Sequence, residues 1–206
     1  MLRRGAKKIF ELSREYITKN IGTFHGKHYG GFRKPEEHDI IRNVIFEKTE
    51  RFLKNMEGTV TIWTTNKANG ENFQISWNKE LSCWAIASKY VALCARFRDD
   101  VNFYNADRYH FARLMGFAWF DILKKMDHHL LIDLKKDLTD KTLIGEYVGN
   151  QSYQHIVKYE KIELIFHAYV YNWGREDYIM PNRAFEIAKK YGLNVVKHTK
   201  IQVDSW

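Results

Sequence analysis

A lysine able to act as a nucleophile stands at position 67, in the stretch NKANGENFQISW (residues 66–77). It lies two residues before an Asn-Gly pair and just ahead of a strand-like apolar run. A lysine amine is protonated at neutral pH, with an ordinary pKa of about 10.4. Desolvation, nearby cations or a bound metal lower that value and free the amine to attack phosphorus or a carbonyl carbon. Gly70 would let the backbone approach a ligand closely. The amides of Asn69 and Asn72 both donate and accept hydrogen bonds. Asn-Gly is also the favoured two-residue hairpin turn, so on its own the stretch has two readings, a turn or the mouth of a nucleotide pocket. Other chemistry-bearing groups read more blandly. His128 and His129 are adjacent, cannot both face one metal from a helix, and read as a polar helix end. Asp99, Asp100 and Asp107 read as a solvated loop, as do His25 and His28.

These residues need elements to position them. Apolar spacing at Ile9, Leu12 and Tyr16 predicts a helix over 5–19. Residues 22–32, GTFHGKHYGGF, hold four glycines and read as a loop. Pro35 followed by Glu36 and Glu37 opens a helix that runs to about Asn55. From Gly58 the period changes to two: TVTIWTT, NFQISW and CWAIAS alternate and are rich in β-branched and aromatic residues, so they read as strands. Residues 108–126 form a long apolar-faced helix; TLIGEYVG and IELIFHAYVYN return to strand chemistry. Pro181 and Gly192 bracket a further helix, and NVVKHTKIQV reads as extended. Trp63, Trp77, Trp84 and Trp119 fit core positions. Strands occur in runs, which favours an α+β fold with antiparallel sheets over a doubly wound parallel one. No Walker or Rossmann glycine loop is present.

The chain of 206 residues is long enough for one sizeable domain. Hydrophobic residues make up 45%, which excludes a disordered chain, and no apolar run reaches the roughly 20 residues that span a bilayer. The two cysteines, Cys83 and Cys94, match neither a stapled secreted domain nor a zinc spacing and indicate a reducing compartment. The net charge of +8 is lopsided: residues 1–35 carry nine Lys or Arg against Glu11 and Glu15, while the remainder is nearly neutral. A basic arm of this kind, with Arg3, Arg4, Lys7 and Lys8 at its head, suits a polyanion such as RNA. It also has the character of a leader segment, which Glu11 and Glu15 weaken. The location expected is intracellular, cytoplasmic or nuclear, with organelle targeting left open.

The stretch KANGENF resembles the nucleophile motif Lys-x-x-Gly-x-Asn-Phe of the covalent nucleotidyltransferase superfamily, which holds the ATP-dependent ligases and mRNA capping enzymes. The likeness is to the RNA-ligase branch with the RNA-editing ligases and phage nick-sealing RNA ligases. LIGEYVG (143–149) and IFHAYVYN (165–172) are similar to two further family motifs, in the family's order. The resemblance covers residues 59–172 and implies an antiparallel-sheet nucleotidyltransferase (ATP-grasp-like) core with flanking helices. It implies Lys67 as the nucleophile toward ATP, and Glu146 in the nucleotide pocket, contacting the ribose or organising Mg²⁺. Phe166 would stack on the base and Asn72 would serve strand sealing. Lys89 takes the place of a phosphate-contacting arginine. Asn66 stands where many of these ligases have the glutamate that reads adenine, and its amide would take over the base edge.

The resemblance therefore implies an ATP-dependent RNA ligase that joins 5′-phosphate and 3′-hydroxyl RNA ends through a lysine–AMP intermediate, with ATP and Mg²⁺. Residues 1–34 are read as a basic arm and 35–206 as the nucleotidyltransferase-like domain. The family's metal-binding carboxylate and Lys-x-Lys motifs have no counterpart: Glu176, Asp177, Lys197 and Lys200 come too early or are wrongly spaced. The domain is read as a fragment or as a shortened relative that finds its phosphate cations elsewhere. Alternatives are a nucleic-acid-binding module of ligase-like fold without chemistry, a capping-type guanylyltransferase, or a DNA ligase. Asn69 in place of the usual Asp argues against the last two.

Overall fold

A computed structural model describes residues 60–149, 157–172 and 179–203, which fall almost wholly within one compact unit, Trp63–Ile201. The basic arm with Arg3, Arg4, Lys7 and Lys8, the helices read over 5–19 and 35–55, and the loop at 22–32 lie outside the described residues.

The alternating stretches form the strands their period predicts. A five-stranded antiparallel sheet is built from β2 (Glu71–Asn78), β3 (Cys83–Ala87), β4 (Ala92–Ala95), β5 (Lys141–Val148) and β6 (Glu163–Tyr171), in the order β4-β3-β2-β5-β6. A separate two-stranded ribbon pairs β1 (Val60–Thr65) with β7 (His198–Val203). Three helices accompany them: α1 (His110–Leu123), α2 (His128–Asp137) and α3 (Pro181–Lys190). The class is α+β with antiparallel sheets and flanking helices, as the strand runs suggested.

Two elements go beyond the sequence reading. The single helix expected over 108–126 ends at Leu123, and a second helix begins at His128. Asp127 is the reason: its carboxylate accepts from the His129 N–H at 2.8 Å and satisfies a free donor of the first turn. His128 and His129 thus open a helix rather than close one. Strand β4 was not foreseen either, because ALCA is too short to show a period. Asp100 has a structural task, its Oδ2 accepting from the backbone N–H of Arg96 at 2.7 Å and of Phe97 at 3.0 Å.

Because neighbours along a strand point to opposite sides and directly paired residues share a side, the pairing register divides the sheet into two faces. On one lie Phe73, Ile75, Trp84, Ile86, Leu143, Tyr147, Phe166 and Tyr169, which join Met115, Trp119 and Leu123 of α1 in the hydrophobic core. Its rings meet edge to face: Trp84–Trp119 at 5.2 Å, Phe73–Phe166 at 5.0 Å and Trp119–Phe166 at 6.2 Å between centroids. Such pairs add about 0.5–1.5 kcal/mol each beyond burial. Asn72, Gln74, Ser76, Ala85, Ala87, Thr142, Ile144 and Glu146 occupy the far face.

A bulge interrupts this division. Ile144 pairs with Ala168 but Gly145 pairs with Phe166, so His167 is the extra residue of β6. The outer edge of β6 is occupied at the same point: the Phe166 N–H donates to the Asn194 carbonyl at 2.8 Å, and the Val196 N–H to the Phe166 carbonyl at 2.9 Å. The segment bearing Val195 thereby docks parallel to β6.

Candidate functional site

Lys67 lies in the short connection from β1 to β2, and the chain fixes that connection at three points. The Asn66 N–H donates to the Lys197 carbonyl at 2.9 Å, tying its start to the segment before β7. The Asn69 N–H donates to the Tyr159 hydroxyl at 3.0 Å. Gly70 presses on β5, where an added Cβ would collide with the Tyr147 carbonyl oxygen and come within 2.8 Å of Val148 Cγ1. Gly70 is therefore needed for close approach to a strand, where the sequence had suggested a ligand. The Lys67 side chain itself is exposed, held out on a braced loop.

The connection leads into β2, and there the register brings two of the expected residues together. Asn72 pairs directly with Glu146 on the far face, and its Nδ2 donates to the Gly145 carbonyl at 3.4 Å. Gly145 lets Glu146 be displayed in this way. It pairs with Phe73, and an added Cβ would meet the Phe73 ring at 2.5 Å, so the glycine is a seat for that ring on the other face.

Glu146 is half-buried, and its carboxyl is pushed up to about 7. Burial is the main cause, the neighbouring Glu71 carboxylate adds to it, and the Lys67 charge pulls the other way. Lys67, Glu71, Asn72 and Glu146 thus form one electrostatic neighbourhood at the end of β2 and β5. Lys89 sits in the β3–β4 turn, at that same end of the sheet because Ala87 pairs with Gln74. It is exposed, with its ammonium 5.1 Å from the Tyr90 ring centroid.

Two expected residues lie elsewhere. Phe166 is 1% exposed, packed between Phe73 and Trp119 in the core, on the opposite face from Asn72 and Glu146. Packed there, it presents no ring face to a nucleotide. The bulge is the cause: with regular alternation Phe166 would share a face with Ala168, which pairs with Ile144 on the far side. Asn66 is exposed and takes part through its backbone.

The sequence reading missed Glu71 and Tyr159. Glu71 precedes Asn72 in a motif already singled out, but only the fold shows that its charge acts on Glu146. Tyr159 carries no local signal at all. Among the described residues no group of three or more His, Cys, Asp or Glu side chains is arranged to hold a metal ion, and no helix is long and apolar enough to cross a membrane.

No protein-family model matches the chain, and the comparison with curated proteins gives no match.

Proposed function

We propose that the chain is the core of an ATP-dependent RNA ligase in which Lys67 carries AMP. The observation that carries this reading is the pairing of Asn72 with Glu146 beside a braced loop whose lysine acts electrostatically on that glutamate. Two parts of the sequence, KANGENF with Lys67 and Asn72 and the strand with Glu146, meet at one end of one sheet.

In the first step the neutral Lys67 amine attacks the α-phosphorus of ATP. A nitrogen–phosphorus bond forms, the bond to the bridging oxygen breaks, pyrophosphate leaves and the amine gives its proton to solvent. A 5′-phosphate oxygen of RNA then takes the AMP and the lysine recovers its proton. In the last step a 3′-hydroxyl attacks the activated phosphorus, loses its proton and expels AMP. Such transfers depend mainly on positioning and charge neutralisation. Lys67 and Lys89 are cations at this end of the sheet, and Asn72 offers an amide within it. A Mg²⁺ held largely by nucleotide phosphates needs only one or two carboxylates from the protein. Glu146 fits that demand, since burial and the Glu71 charge disfavour its ionised form and a cation would offset both. When bound, the ion would neutralise phosphate charge.

The test is incubation of the protein with α-³²P-labelled ATP and Mg²⁺. The expected result is an acid-labile, phosphatase-resistant label on the wild type that is abolished in Lys67→Ala. Wild-type protein of full natural length that takes no label from ATP, GTP or NAD overturns the reading.

The exposed Lys67 and the core position of Phe166 favour a second reading, an RNA-binding module without chemistry. It expects salt-dependent RNA binding that Lys67→Ala leaves unchanged, with no label from any nucleotide.

A further inference from the structure

We propose that Cys83 and Cys94 form a reversible oxidation site, in which a peroxide meeting the exposed Cys94 closes the pair to a disulfide. The strand register puts the two side chains together. Cys94 pairs directly with Ala85, and Cys83 stands two residues before Ala85 on β3, so both leave the far face as diagonal neighbours on adjacent strands. Their thiols lie within hydrogen-bonding reach of each other, and both are free. They line one open cleft of about 360 Å³ together with Leu81, Arg96, Phe97 and Asp100. Its rim is tied down. The Tyr104 hydroxyl accepts from the Cys94 N–H at 2.9 Å and donates to the Cys94 carbonyl at 3.0 Å, which covers the outer edge of β4 at that residue. Arg96 Nε donates to the Leu81 carbonyl at 3.2 Å and fastens the turn before Cys83 to the end of β4. The pair lies at the Asn78 end of β2, opposite the end that holds Glu71 and the Lys67 loop, so it stands apart from the nucleotide reading.

The two thiols differ in a way that gives them separate roles. Cys94 is exposed and Cys83 is 4% exposed, so a small oxidant reaches Cys94 first. Burial pushes the Cys83 thiol up to about 11; the neighbouring Cys94 sulfur adds to this, Arg96 pulls the other way and Asp100 adds a little. Cys83 therefore keeps its proton at neutral pH and serves as the second, resolving thiol. In the first step the Cys94 sulfur, as thiolate, attacks one oxygen of hydrogen peroxide. A sulfur–oxygen bond forms, the oxygen–oxygen bond breaks, and the departing hydroxide takes the thiol's proton and leaves as water. Cys94 is then a sulfenic acid, oxidised by two electrons, and the peroxide is reduced. In the second step the Cys83 sulfur attacks the Cys94 sulfur, the sulfur–oxygen bond breaks, and hydroxide leaves with the Cys83 proton as a second water. Two thiols and one peroxide thus become one disulfide and two waters. A dithiol reductant reverses the closure by attack on the exposed Cys94 sulfur, with Cys83 taking a proton as it departs. A transient disulfide of this kind suits a compartment that otherwise keeps thiols reduced.

The experiment exposes the full native chain to hydrogen peroxide, alkylates the remaining thiols in denaturant and weighs the intact protein. The wild type is expected to lose the mass of two hydrogen atoms, accept no alkyl group and run as a single chain on a non-reducing gel. Dithiothreitol is expected to restore both alkylatable thiols. Cys83→Ala is expected to leave a sulfenic acid at Cys94 that dimedone traps, and Cys94→Ala to leave Cys83 reduced at the same dose. A second measurement asks whether the fold, rather than the short spacing, brings the thiols together. In glutathione buffers the disulfide is expected to be at least about 10-fold more favoured in the native wild type than in urea. These wild-type measurements decide the matter even should a variant fail to fold. Two free thiols after peroxide, a chain-to-chain disulfide through Cys94, or a Cys94 sulfinic acid beside a reduced Cys83 overturns the inference. A disulfide no more favoured in the folded chain than in urea overturns it equally, and none of these outcomes touches the ligase reading.

Discussion

The two faces of the five-stranded sheet are made by the same strands and have almost nothing in common. Against α1 the side chains are large, aromatic and fully buried: Phe73, Trp84, Phe166 and, from the helix, Trp119. Apart from Ile144, the far face is built from Asn72, Gln74, Ser76, Ala85, Ala87, Thr142 and Glu146, which are small or polar. One residue's step along β2 or β5 passes from one to the other. Burying rings edge-on stabilises the sheet, even with the Trp119 Nε1–H left there without a partner. That stability allows the opposite side to hold a carboxyl whose ionisation is disfavoured, an arrangement that costs free energy.

The comparison breaks most visibly at Phe166. If its ring belongs wholly to the core, Phe166→Ala costs about 3–5 kcal/mol of stability, measured by denaturant unfolding. Phe166→Leu, which keeps apolar bulk, retains the fold and labels Lys67 with wild-type nucleotide preference. A folded Phe166→Leu that no longer binds nucleotide would move this ring to the functional side.

Glu146 sharpens the contrast through pH. Its folded pKa of about 7 lies above the ordinary 4.5 because burial and Glu71 disfavour the ionised form. A carboxyl raised in this way weakens the fold as pH climbs from about 4.5 through about 7, since the unfolded chain then binds fewer protons than the native one. Glu146→Gln removes that loss. Its melting temperature should match wild type at pH 4 and exceed it increasingly up to pH 8. Lys67→Ala should do the reverse, because the lysine charge is what holds the Glu146 pKa down. Parallel melting curves across this range would mean that the carboxyl is effectively solvated.

The smallest effect concerns Tyr159, a positioning residue. Tyr159→Phe removes only the acceptor for the Asn69 N–H. About 1 kcal/mol of loop order should be lost, read as slower labelling of Lys67 at saturating ATP with half-saturation unchanged. A merely structural tyrosine would shift the melting temperature and leave the labelling rate alone.

Much of the fold was legible because period-two alternation and Pro/Gly boundaries are local signals: β2, β3, β5, β6 and α3 all fall where the residues put them. Helix α2 escaped because Asp127-His128-His129 reads as a polar end until the Asp127 cap is seen to start a new turn. For the site, Lys67, Asn72 and Glu146 could be picked by resemblance, but their meeting depends on strand register, which no single stretch encodes. Phe166 shows the limit most clearly. Its side of the sheet is decided by one extra residue, His167, and by where Gly145 finds its partner.

The bracing of Asn66 by Lys197 bears on how the molecule matures. A contact between residues so distant in sequence closes late, because the entropy of the intervening loop must be overcome before the bond rewards it. During synthesis the sheet strands β2 to β6 can assemble while Lys67 still swings on an unfastened tether. Its placement is completed only after the segment beyond α3 has emerged and docked. On the ligase reading proposed above, competence for nucleotide transfer should lag behind burial of the tryptophans, and a nascent chain stopped short of residue 197 would be folded in its core and take no label.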